Sequence, residues 1–283
     1  MDAAREHGIT LFDTANSYGG GASEEWIGKW MASRGARDEV ILTTKVRNAV
    51  GPHPDDEGLS ARHIREQIEA SLRRLRTDRV DLYLAHEPDI RVPIEETLSA
   101  FDELVRSGKV RHHGLSNYSG AQVAEAAEAA AKWAIAPPAN LQSGYSLLDR
   151  AAGEDTFGVC AEHGISFTAY SPLAGGWLSG KYRAAQEFPA GSRMQLRPQP
   201  YQHWVSEATF RGIAAVEAEA KRRAISLAEL ALAWVLGEPA VSAMIVGPRR
   251  PEQLAPALAA LDVPLSEGER ADLVRLVSGE DLE

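Results

Sequence analysis

The stretch Ile9-Thr10-Leu11-Phe12-Asp13-Thr14-Ala15-Asn16-Ser17-Tyr18-Gly19-Gly20 decides the fold. A β-branched and aromatic run carries the backbone to Asp13. Small, polar and glycine residues follow, the pattern of a strand feeding a loop. An acid ending a buried strand is costly unless a cation or hydrogen bonds meet it. A loop tyrosine such as Tyr18 becomes a useful proton donor near neutral pH only beside a cation. The next apolar run, Val40-Ile41-Leu42-Thr43-Thr44-Lys45, ends in that cation, and Val80-Asp81-Leu82-Tyr83-Leu84-Ala85-His86 ends in a histidine. Lys45 should avoid the interior unless Asp13 pairs with it. That pair would keep Lys45 charged beside Tyr18, with His86 ending the neighbouring run. Taken singly, Tyr18 is a loop residue over the core and His86 a satisfied strand-end histidine; only the set points to chemistry.

Further motifs follow in order: Gly114-Leu115-Ser116-Asn117-Tyr118, Gln142 with Tyr145-Ser146-Leu147-Leu148, Tyr170-Ser171-Pro172-Leu173, Gly180-Lys181-Tyr182 and Ile245-Val246-Gly247-Pro248-Arg249-Arg250. With Asp13, Tyr18, Lys45 and His86, the set resembles the aldo-keto reductases, of bacterial type and similar to their potassium-channel β-subunit-like branch. The resemblance runs from the first residues to about Leu261. It implies NADP-dependent reduction of a small-molecule aldehyde or ketone to an alcohol, the hydride being the cofactor's and Tyr18 the general acid. It assigns Ser116, Asn117 and Gln142 to the nicotinamide carboxamide and Tyr170 to stacking on the nicotinamide. The loop holding Ser171, Leu173, Gly175 and Lys181 looks like a pyrophosphate cover, since its glycines let backbone amides approach phosphate. Gly247, Arg249, Arg250 and Gln253 stand at the start of a helix after the last strand, a place for phosphate. A 2′-phosphate there favours NADP(H), with NAD(H) left open. The plainer alternatives are strand-end capping for the polar set and solvated surface for the arginines.

The chain has 283 residues, 44% hydrophobic and 25% charged, which fits two modest domains or one α/β barrel of about 250 residues. A net charge of −10 argues against nucleic acid or an anionic membrane as partner. Cys160 is the only cysteine, so no intrachain disulfide forms, and a reducing cytoplasm is expected. Its apolar surroundings read as inert core. No apolar run approaches the roughly 20 residues of a membrane span, and Met1-Asp2-Ala3-Ala4-Arg5-Glu6 lacks a signal-peptide hydrophobic region. His112 and His113 are adjacent on a strand and face opposite ways, so no metal site is expected.

Strand-like runs at 9–13, 40–45, 80–86, 110–115, 139–142, 165–170 and 243–246 alternate with helical patterns. Ser23 is positioned to cap a helix reaching about Ser33, and Ser60 one that buries Ile64, Ile68, Leu72 and Leu75. Helices are expected at 94–108, 119–133, 154–163, 206–224 and 226–236, and Pro251 opens another. A long Gly- and Pro-rich loop spans 172–205, a length that marks function or disorder. No linker-like shift interrupts the chain, so a single domain over 1–283 is expected. Alternation means a parallel sheet with covering helices. Candidate site residues end nearly every strand, as in a TIM (β/α)8-type barrel, whereas a doubly wound sheet gathers them at one switch point. Seven strands of such a barrel are identifiable here.

The chain also departs from the family pattern. Gly144 stands where a glutamate is usual, and Pro256 and Ala257 where a glutamate and an adenine-contacting asparagine are usual, which would weaken adenine-side affinity. Pro256 inside a helix should kink it. An N-terminal hairpin, a first strand and most of a first helix would precede the equivalent of Asp2. Their lack predicts unpaired edges at strands 9–13 and 243–246, poor solubility or weak NADPH binding, and recovery when an upstream strand is restored. Alternative functions are a cofactor-binding regulatory or inactive member of the same fold, channel β-subunit-like, or a truncated non-functional fragment. A lyase using Lys45 as a Schiff base ranks below these, because Asp13 beside Lys45 favours a charged amine.

Overall fold

The computed structural model describes residues 1–279. Within them the chain runs α1 (Asp2–Glu6), β1 (Leu11–Asp13), α2 (Ala22–Arg34), β2 (Ile41–Val46), α3 (Ala61–Leu75), β3 (Val80–Ala85), α4 (Ile94–Arg106) and β4 (Val110–Ser116). It continues with α5 (Gly120–Lys132), β5 (Asn140–Gly144), α6 (Ala151–His163), β6 (Ser166–Tyr170), α7 (Arg193–Leu196), α8 (Glu207–Arg222), α9 (Leu227–Leu236), β7 (Val241–Met244), α10 (Ala255–Ala259) and α11 (Glu267–Ser278). The strands hydrogen-bond in sequence order, β1 through β7. The ladders from β1 to β5 are parallel. A doubly wound sheet would break that order at its switch point; the unbroken order is that of the (β/α)8 barrel class, with seven strands among the described residues. Every expected strand is present within a few residues, β7 lying two residues upstream of its expected start.

Packing divides the described residues into two compact units: 1–143 with 155–167, and 144–154 with 168 onward. In the first unit α2, α3, α4 and α5 pack on one another in succession. Helix α3 buries Ile64, Ile68, Leu72 and Leu75, and the Ser60 hydroxyl accepts from the His63 N–H at 3.3 Å, as the pattern requires. The Tyr83 ring meets Phe101 edge-on and Phe101 stacks on His113, filling the space between strands and α4. His113 is buried, with Nε2 2.8 Å from the Ala136 carbonyl, while His112 is exposed on the other face. Ser23 does not cap α2. That helix starts two residues earlier, at Ala22 after Gly21 at φ 93°, and the Ser23 hydroxyl instead accepts from Thr14 at 2.8 Å. Burial pushes the Cys160 thiol up to about 11, consistent with an inert core residue.

In the second unit α8 packs against α11, and Gly212 lets the two come close, since a Cβ there would strike the Val277 backbone. The Trp234 indole donates to the Arg270 carbonyl at 3.1 Å and stacks on Tyr145. The stretch 172–205 is folded rather than loose. Short helical turns at Ala174–Ser179 and Gln199–Trp204 flank α7. Trp177 is fully buried among Tyr182, Phe188, Trp204 and Phe210, with ring centroids 5.3 to 6.4 Å away. Pro251 opens only a four-residue 3₁₀ turn, and α10 begins at Ala255. Pro256 therefore lies in the first turn of α10, where its missing N–H costs little. Helix α11, opened by a Ser266–Glu269 capping box, lies beyond the elements that the sequence pattern picked out. No helix among the described residues is long and apolar enough to cross a membrane.

Candidate active site

Strand register explains how distant residues converge in the first unit. Asp13 pairs with Thr43, Lys45 with Leu84, Leu84 with Gly114, and Ser116 with Gln142. Directly opposite residues share a face, as do residues two apart on one strand. Asp13, Lys45, Ser116 and Gln142 therefore project to one side of the sheet, and His86, two residues past Leu84, follows them.

Lys45 is wholly buried. Its Nζ donates to Asp13 Oδ2 at 2.6 Å and to the Thr14 carbonyl at 2.9 Å. Burial lowers the lysine's proton affinity, and the Asp13 charge and hydrogen bond oppose that loss. The other Asp13 oxygen accepts from Gln142 Nε2 at 2.9 Å. Tyr18 opens a 3₁₀ turn whose next residues, Gly19, Gly20 and Gly21, all have positive φ, a conformation that glycine adopts freely. This turn holds the phenol ring 5.1 Å from Lys45 Nζ while leaving the residue 41% exposed. The Tyr18 hydroxyl is 3.5 Å from His86 Nε2, and the two rings meet edge-on. Burial, then the charges of Lys45 and Arg47, push His86 down to about 4, so the ring is neutral near pH 7.

The polar residues expected around the nicotinamide divide between the units. Asn117, at φ 61°, donates its amide to the His86 carbonyl at 3.0 Å and to Ser116 Oγ at 3.2 Å. Gln142, Asn117 and Ser116 thus brace the Asp13–Lys45–His86 group. Asn48, which no motif singled out, places Nδ2 3.3 Å from His86 Nδ1. Tyr170 lies in the second unit with its ring beside Gly144, where a Cβ would be in ordinary contact with it.

The second unit also carries the residues expected at phosphate. Ser171 and Gly175 have positive φ, and a Cβ on Gly175 or Gly176 would run into Tyr201 or Lys181 respectively. Leu173 packs against the buried cluster of Leu232, Ala233 and Ala260. Lys181 is exposed, with Nζ 5.1 Å above the Tyr182 ring. Gly247, Arg249 and Arg250 are exposed. Arg249 Nη1 donates to the Gly191 carbonyl at 2.9 Å. Gln253 Oε1 takes the backbone N–H groups of Arg249 and Arg250 at 2.6 and 3.3 Å, so it caps the turn and leaves the arginine side chains as the cationic element. The helix start expected there is only the short 3₁₀ turn, which offers little dipole. Among the described residues, no group of three or more His, Cys, Asp or Glu side chains is placed to hold a metal.

Comparison with known proteins places the chain in a family. The family model described as aldo/keto reductase family matches residues 1–277. The chain is 39% identical to a Bacillus subtilis protein named uncharacterized oxidoreductase YrpG, over 94% of this chain and 82% of that one. It is 35% identical to a probable voltage-gated potassium channel subunit beta of Arabidopsis thaliana, over 93% and 81%. It is 32% identical to the Schizosaccharomyces pombe aldo-keto reductase yakc [NADP(+)], over 93% and 77%.

Proposed function

The chain belongs to the aldo/keto reductase family and is an oxidoreductase; from that premise we propose that it reduces aldehydes or ketones to alcohols with NADP(H), Tyr18 supplying the proton. The observation that carries the reading is the buried Lys45, held 2.6 Å from Asp13 Oδ2 and 5.1 Å from the Tyr18 ring. A buried charge beside an accessible hydroxyl stabilises the negative charge left on oxygen when the proton moves. His86, neutral and edge-on to Tyr18, donates toward the carbonyl oxygen and orients it. Asp13 keeps the ammonium in place, and Gln142 keeps Asp13 turned toward it.

The residues present fit a dinucleotide phosphate. Arg249, Arg250 and Lys181 are exposed cations, and the turn at Gly175 and Gly176 is a cradle that side chains would fill. The amides of Asn117 and Gln142 with the Ser116 hydroxyl suit a carboxamide, which needs donors and an acceptor. Tyr170 offers an aromatic face, and Ser171, Leu173, Gly247 and Gln253 shape the two loops. The bound cofactor would supply the hydride. The NADP(+) in the name of the fission-yeast relative supports the phosphate preference.

A panel of aldehydes and ketones followed by NADPH absorbance tests the proposal. Turnover of at least one class is expected. NADPH binding with no turnover on any member would instead favour a regulatory role, the reading raised by the similarity to a channel subunit beta.

A further inference from the structure

We propose that Asn48 is a positioning residue that fixes His86 in the tautomer whose proton is on Nε2, turned toward the Tyr18 hydroxyl. An amide NH₂ only donates, so the Asn48 Nδ2 contact at 3.3 Å requires a lone pair on His86 Nδ1. A neutral imidazole has one proton, which must then reside on Nε2. That nitrogen lies 3.5 Å from the Tyr18 oxygen. Turned over, the Asn48 amide would present its carbonyl to Nδ1 and force the opposite tautomer. Nε2 would then compete with the carbonyl substrate for the Tyr18 proton.

The backbone delivers Asn48 to this place deliberately. Arg47, just past β2, has φ 139°, a region unfavourable for a residue with a side chain. Its carbonyl is held by the Gly58 N–H at 2.7 Å, which anchors the turn. Meanwhile the His86 N–H donates to the Val46 carbonyl at 2.9 Å, locking the ends of β2 and β3 together. Asn117 fixes the ring's backbone from the other side, through the His86 carbonyl. Asn48 touches the ring but no reacting atom, so it acts through His86.

The consequence for turnover rests on the reading of Tyr18 as proton donor; the tautomer does not. The test is long-range ¹⁵N–¹H correlation on histidine-labelled protein near neutral pH, with His86 assigned from the signals lost in His86→Asn. The wild-type chain is expected to show a protonated Nε2 and a bare Nδ1. In Asn48→Asp the carboxylate accepts from the ring, so the proton should appear on Nδ1. In Asn48→Leu both tautomers should appear. Turnover should fall roughly a hundredfold or more in Asn48→Asp with NADPH affinity unchanged. A wild-type Nδ1–H ring, or an Nε2–H ring that persists unchanged in both variants, overturns the proposal. Because the spectrum is read without substrate, a chain that reduces no carbonyl still answers the question.

Discussion

Replacing Lys45 by methionine would leave Asp13 with the Gln142 amide but no cation, inside a site where Lys45 itself is wholly buried. Removing one partner of a buried pair costs about 3–5 kcal/mol. Lys45→Met should therefore lower the denaturation midpoint strongly and abolish turnover; a stable, active variant would show that the pair is dispensable. His86 makes a separate prediction about acid. The unfolded imidazole takes up its proton near 6.5 and the folded one only near 4. Between those values the unfolded state binds more protons, so stability falls as pH drops through that window and is unaffected above it. Melting curves between pH 4 and 7 should show this slope, flattened in His86→Asn. At this scale the Asp13–Lys45 pair was legible in the sequence, because a strand-end lysine among apolar residues demands an anion. The role of Asn48 was not, because an exposed-looking amide after a strand suits many partners and its meaning depends on where a second strand ends.

Elements impose their own requirements. The turn after β7 presents Arg249 and Arg250 while Gln253 consumes their backbone amides. If the side chains alone meet a 2′-phosphate, replacing both arginines by alanine should weaken NADPH far more than NADH in a fluorescence titration. Equal loss for the two cofactors would remove the arginines from phosphate binding. The stretch 172–205 depends on Trp177, which has no exposed surface. Trp177→Ala should cost about 3–5 kcal/mol and expose that stretch to proteolysis, where an unchanged cleavage pattern would show that the aromatic cluster does not organise it. Helix α3 was readable from its heptad-like apolar spacing and Ser60. The start of α2 was misread, since three consecutive glycines with positive φ set the helix origin before Ser23 has any amide to cap. The folding of 172–205 was hidden because aromatic residues scattered over more than twenty positions carry no periodic signal.

For the chain as a whole, strand order is what turns a scattered set of residues into a site. Asp13, Lys45 and His86 end three successive strands, and parallel register sends them to one side together with Ser116 and Gln142. Alternation of strand and helix, and polar residues at strand ends, were visible without coordinates. The bracing hydrogen bonds from Gln142 and Asn117 were not, because spacing says which face a side chain occupies and not which atom it meets. The central claim is that Tyr18 delivers a proton from beside a buried lysine. The most direct measurement is NADPH oxidation with a carbonyl substrate by the chain and by Tyr18→Phe, with NADPH affinity measured in parallel. A fall in turnover of roughly a hundredfold or more at unchanged affinity is predicted, and equal turnover by the two proteins would contradict it.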